Sequence, residues 1–184
     1  MARRQERLYD IWRTFAVGIR CVIPGSMSNS TSTARVVQAA AAHGLSIDVR
    51  HFPGGTKTAA DAAAAIGCPV GAIVKSLVFM VGEEPVVALV PGDRMLDLGR
   101  LALLARGGEA RRATLDEARA ATGFAAGGTP PFGYRRPLRV FADEHLRRND
   151  PVWAAAGTPT TVFPIRIRDL EQVSRPAWGA LSIQ

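Results

Sequence analysis

A chain of 184 residues, 47% of them apolar, is long enough to bury one sizeable core and short for two full domains. Its formal net charge of +7 favours polyanionic partners, but residues 1–26 hold five arginines against Glu6 and Asp10, so the body is only moderately basic and charge alone does not establish nucleic-acid binding. No apolar run reaches the roughly 18–20 residues of a membrane span, Cys21 and Cys68 form no CxxC pair, and the histidines have no zinc spacing, so a cytoplasmic protein with no metal or organic cofactor is expected.

In residues 1–26, Leu8, Ile11, Trp12, Phe15 and Ile19 fall at helical spacing among arginines, and Pro24, Gly25 and the polar run SMSNSTST then break the pattern. We read this stretch as an amphipathic extension outside the fold, with docking to a membrane or partner as the alternative, and residues 27–184 as the folded domain. A first helix is expected at residues 33–43, stopped by Gly44, then a strand at 46–52. An alanine-rich helix follows at residues 58–66, with Thr58 and Asp61 as a capping pair and Gly67 as its stop. Two strong strands at residues 72–81 and 85–91 are joined by a tight turn at Gly82, Glu83 and Glu84.

Helices are expected at residues 98–105 and 115–121, the second opened by Thr114 with Glu117 in capping-box position. Beyond a Gly/Pro loop at 127–133 come a strand at 138–142, apolar segments at 152–156 and 161–167, and a short helix near Asp169. Mixed strand and helix order with no internal repeat gives an α/β (α+β) domain around one sheet.

Lys75 is the most informative residue. Period-2 alternation places it on one face of its strand with Ile73, Leu77 and Phe79, while Val74, Val78 and Met80 make the other face apolar. An ammonium group there requires an anionic or carbonyl partner, and in a chain with only two lysines, Lys57 and Lys75, its choice over arginine reflects either a need for a compact charge or chance. The alternative is a lysine snorkelling from a strand end. The second feature is the loop GGTPPFG, in which Gly127 and Gly128 permit close approach and Pro130 and Pro131 stiffen the chain around Thr129. Such a loop positions a substrate or a water through main-chain groups, or is merely a tight connection. GxSxG, HExxH and GxxxxGK[ST] are absent, His43 and His145 read as solvent-facing helix residues, and Asp143 and Glu144 read as a helix start.

The runs KTAADAAAAIGCPVGAIVKSLVF, GFAAGGTPPFG and WAAAGTPTTVFPIRIRDL, in that order, resemble the YbaK/EbsC family of aminoacyl-tRNA editing domains, related to the domain inserted in bacterial prolyl-tRNA synthetases. The resemblance covers residues 30–180. It implies a mixed, partly barrel-like β-sheet flanked by helices, and hydrolysis of the ester joining a wrong amino acid to the terminal adenosine of tRNA(Pro) or of another tRNA carrying a small amino acid. By the same resemblance Lys75 holds the tRNA 3′ acceptor end or the aminoacyl group, and the Gly127 backbone positions the reacting water or the ribose hydroxyl. The substrate's own 2′-hydroxyl then supplies what a missing triad would. Phe52, Thr58 and Phe163 are placed near the pocket by position, beside Gly128, Thr129, Pro130 and Pro131.

Members of the family that remove cysteine from tRNA(Pro) carry an acidic residue where Phe163 stands, so alanine, serine or threonine is as fitting a cargo as cysteine. A synthetase or an elongation factor is the expected protein partner. The reading of another class is a non-catalytic module that binds aminoacyl-tRNA or a nucleotide ligand.

Overall fold

The computed structural model describes residues 31–54 and 58–184, so the expected N-terminal helix and Lys57 lie outside the described residues. Helix α1 (Thr31–Ala41) buries Thr33, Val36 and Ala40 along one stripe. It ends through Gly44, whose φ of +74° lets the Leu45 N–H reach back to the Ala40 carbonyl. The strand expected at 46–52 shrinks to β1 (Arg50–His51). Leu45, Ile47 and Val49 pack on the core, but only Arg50 and His51 find a partner strand.

Helix α2 (Ala59–Ile66) has the expected capping box, with Thr58 and Asp61 bonded reciprocally and Gly67 left-handed at its end. Strands β2 (Val74–Val81) and β3 (Glu84–Pro91) form the expected hairpin, in the register Val78↔Val87. There follow β4 (Met95–Leu96), α3 (Leu98–Ala105), β5 (Ala110–Arg112), α4 (Leu115–Thr122) and β6 (Arg139–Asp143). After a short 3-10 turn come β7 (Val152–Ala155), β8 (Thr161–Ile165), α5 (Ile167–Ser174), β9 (Ala177–Gly179) and β10 (Ser182–Ile183).

The main sheet has the order β5-β2-β3-β6-β9, antiparallel from β5 to β3 and parallel from β3 to β9. Strand β3 has no solvent face: Val87 and Leu89 enter a core with Val36, Phe124, Phe132, Val140 and Phe163, while Val86, Ala88 and Val90 enter a second with Phe79, Leu101, Phe141 and Leu181. Each fully buried side chain of this size contributes about 1.5–3 kcal/mol, which makes the hairpin the rigid spine of the molecule. A second sheet, β1-β8-β7, and the pair β10-β4 complete a mixed α+β domain. The expected mixed sheet with flanking helices is present, but the pairings among the described residues leave open sheets and do not close a barrel.

Candidate active site

The site begins as a gap in the main sheet. Strand β5 pairs only with Phe79–Val81 of β2, and its coverage stops where the Ala113 N–H bonds the Val78 carbonyl at 3.2 Å. Peptide groups alternate sides along a strand, so Ser76 turns its N–H and C=O to this uncovered margin. Strand β7 approaches from the other side, bridging Trp153 to Ile73. Between them opens a cleft of about 350 Å³, lined among others by Thr58, Lys75, Ser76, Arg112, Gly127 and Trp153. That volume suits a small ligand or the end of a larger one.

Lys75 pairs with Val90 across the hairpin and shares its strand face with Leu77 and Phe79 of the second core. Its half-buried ammonium donates a hydrogen bond to the Arg94 carbonyl, in the turn that follows β3. Burial pushes the amine below its ordinary value, and the attraction of Asp93 works against that shift. The sequence-based demand for a carbonyl or anionic partner is therefore met by the 91–94 turn. Beside it the Ser76 hydroxyl is buried with no hydrogen-bond partner among the described residues.

The 127–133 loop forms another wall, with Gly127 and Thr129 in the lining. Gly127 takes φ +79°, where a side chain is strained, and a Cβ on Gly128 would come within 2.7 Å of Thr158 Cα. The loop is pinned from behind: the Tyr134 hydroxyl donates to the Pro130 carbonyl and Ser174 Oγ to the Pro131 carbonyl, both at 3.0 Å. Gly127 itself is exposed and has no hydrogen bond on its N–H or C=O among the described residues. A stiff loop carrying an unengaged peptide at Gly127 thus borders the cleft.

Residues 54–173 match the family model described as the aminoacyl-tRNA editing domain. The chain belongs to this family. The editing domain is 37% identical over 99 residues to a proline-tRNA ligase of Nitratidesulfovibrio vulgaris, a match covering 54% of this chain and 17% of the ligase. The chain thus spans a small part of the ligases it resembles. It is 31% identical over 102 residues to the "Putative Cys-tRNA(Pro)/Cys-tRNA(Cys) deacylase EbsC" of Enterococcus faecalis, covering 54% of this chain and 62% of that protein. A solved structure described as "a putative trans-editing enzyme for prolyl tRNA synthetase" superposes with a TM-score of 0.79 at 40% identity, over 84% of this chain and 99% of the other.

In this editing domain the fold brings Lys75, Thr58, Gly127 and Thr129 to one cleft. Gly128, Pro130 and Pro131 form the buried side of the loop and support it without lining the cleft. Two expected positions differ. Phe163 is fully buried in the main core, edge-on to Phe132 with ring centroids 5.7 Å apart, because Val162 takes the cleft-facing side of β8. Phe52 is half-buried, bonds Thr160 through its N–H, and lies outside the lining.

His145 is not solvent-facing: its Nδ1 lies 2.8 Å from the buried carboxylate of Asp143, which caps the 3-10 turn as a helix start should. Ser76, Arg112 and Trp153 were not singled out from sequence. Ser76 and Trp153 stood inside the quoted motifs, but Arg112 falls in a three-residue strand with no local signal. Among the described residues no helix is long and apolar enough to cross a membrane.

Proposed function

We propose that this editing domain acts in trans as a cytoplasmic deacylase, hydrolysing the ester that joins a wrongly attached small amino acid to the 3′ acceptor end of tRNA(Pro) or another tRNA. The observation that carries this reading is the placing of a half-buried ammonium group and an unengaged glycine peptide on one cleft. Lys75 holds the acylated nucleotide by charge, and the Gly127 backbone orients water or the ribose hydroxyl. The water oxygen bonds to the acyl carbon, the ester C–O bond breaks, the ribose oxygen leaves with a proton, and the free amino acid departs. An aminoacyl ester is already activated, so orientation supplies most of what the protein must add. Ala59, Ala62, Ala154, Ala155 and Val162 give the cleft an apolar lining of short side chains, and its volume of about 350 Å³ suits an amino acid on the end of a nucleotide. A synthetase or an elongation factor delivers the charged tRNA.

The test offers the purified protein tRNA(Pro) charged with alanine, serine, threonine or cysteine, beside the Lys75→Ala variant. Hydrolysis of at least one of them is expected, with a loss of roughly 100-fold or more in the variant, the scale of removing one group that stabilises charge in the transition state. Release of no amino acid, or full activity without Lys75, overturns the reading. Saturable binding without release would mark a binding module instead.

A further inference from the structure

Three segments meet behind the glycine loop: residues 31–47, 118–142 and 151–168. A Cβ on Gly157 would lie 2.8 Å from the Ser32 backbone, one on Gly133 would lie 3.3 Å from Ala39, and Gly128 abuts Thr158. These segments hold seven arginines, of which Arg139 pairs with Glu84 and Arg168 with Asp169, and the carboxylates of Asp48, Glu117, Asp143, Asp150 and Asp169 stand at their ends.

Two of the arginines converge on a single glycine. Arg35 on α1 donates from Nη2 to the Gly123 carbonyl at 2.7 Å and lies 3.9 Å over the Phe124 ring. Arg135 crosses Gly123 so closely that a Cβ there would be 2.7 Å from its Nε. Gly123 ends α4, and the negative end of a helix balances about half an elementary charge. The remaining positive charge has no partner: among the described residues no carboxylate pairs with Arg35, Arg135 or the exposed Arg136. Arg35 Nε is also buried without an acceptor. Burial and the neighbouring Arg135 both push the Arg35 guanidinium below its ordinary value. Like charges gathered this way favour an anion with several oxygens, and a phosphodiester matches the guanidinium fork.

The cluster does not line the cleft but is joined to it through packed backbone behind the glycine loop. Arg35 is three residues, about 4.5 Å of helical rise, from Ser32, and Ser32 leads through Gly157 and Thr158 to Gly128. We propose that Arg35, Arg135 and Arg136 form a landing site for the sugar–phosphate backbone of the RNA whose end enters the cleft. The proposal rests on the RNA-directed reading of the cleft and is independent of whether an ester is cleaved there.

The experiment titrates the full chain against uncharged tRNA by fluorescence anisotropy over a series of salt concentrations. The variants are Arg135→Glu and Arg136→Glu, with Arg106→Glu at the cap that follows α3 as a control of equal charge change, and thermal melts verify that each is folded. Each of the first two variants should weaken binding about 5- to 10-fold at low salt and make the slope of log affinity against log salt shallower by about 1, the signature of a lost phosphate contact. Unchanged isotherms in the two variants, or an equal loss in the control, overturn the landing site. A protein surface as the true occupant would likewise leave the tRNA isotherms unmoved. If no mischarged tRNA is hydrolysed but both slopes fall, the deacylase reading fails and the landing site stands. If hydrolysis proceeds while affinity and slope match the wild type, the reverse holds.

Discussion

Val162 lines the same cleft as Lys75 and is 7% exposed, so its two methyl groups help set how much room an acyl group finds. The Val162→Ala variant should admit larger amino acids. One methylene in such a pocket is worth about 1–3 kcal/mol, so the ratio of kcat/KM for a larger over a smaller acyl group should rise roughly 10-fold. An unchanged ratio across the mischarged panel would remove Val162 from the selectivity wall. Gly128→Ala drives a methyl group into the Thr158 backbone, and either the loop or the turn between β7 and β8 must shift. A loss of about 1–3 kcal/mol in denaturant unfolding is expected, with deacylation falling beyond what the remaining folded fraction explains. At this scale, strand alternation made Lys75 readable from sequence, because an ammonium group on an all-apolar face is conspicuous whatever its neighbours prove to be. The same alternation defeated the reading of Phe163: a one-residue error of parity exchanges the pocket side of β8 for the core side, and two apolar neighbours, Val162 and Phe163, give no chemical sign of which is which.

Helix boundaries are local chemistry, and they were legible. Thr58 with Asp61 and Thr114 with Glu117 form the capping boxes that their spacing announces, each box closed by two hydrogen bonds. Thr114→Ala removes the hydroxyl that accepts from the Glu117 N–H and should cost about 1 kcal/mol, read as a lower thermal midpoint. Thr114 does not itself line the cleft, so deacylation should stay near the wild-type level; an unchanged midpoint would show the cap to be idle. Strands β4, β5, β9 and β10 were not legible, since each has two or three residues and exists only because a partner distant in the chain supplies its hydrogen bonds. The expected strand at 46–52 failed for the converse reason: its alternation is real and packs Ile47 and Val49 inward, yet only Arg50 and His51 have a strand to pair with. Arg112, a cleft residue, was lost along with β5.

For the molecule as a whole, mixed strand order gave the α+β class, while the division into a main sheet, a second sheet and the β10-β4 pair depended on pairings between distant segments. One long-range closure depends on Asp143, whose fully buried carboxylate accepts hydrogen bonds from the N–H groups of Leu181 and Ser182 at 2.8 and 2.7 Å and meets His145 on its other oxygen. Burial alone would push this carboxyl up, but the hydrogen bonds from His145 and Ser182 outweigh it and hold it below the ordinary aspartate value. The stabilisation is therefore complete above the unfolded value of about 3.9 and drains away as pH falls through the lower, folded value. Asp143→Asn should lose about 2–3 kcal/mol at neutral pH and show a flatter decline of the thermal midpoint below pH ~4. Parallel curves for the two proteins would refute that role. The short reach of β5 has its own bearing on the molecule's history and solubility. An unfinished sheet border is a natural place for a stray polypeptide to add itself, and here α2 and β7 fence it off. The border itself is main chain, which substitution cannot recolour, so changes in the surrounding side chains reshape the fence while the peptide groups at the border stay as they are.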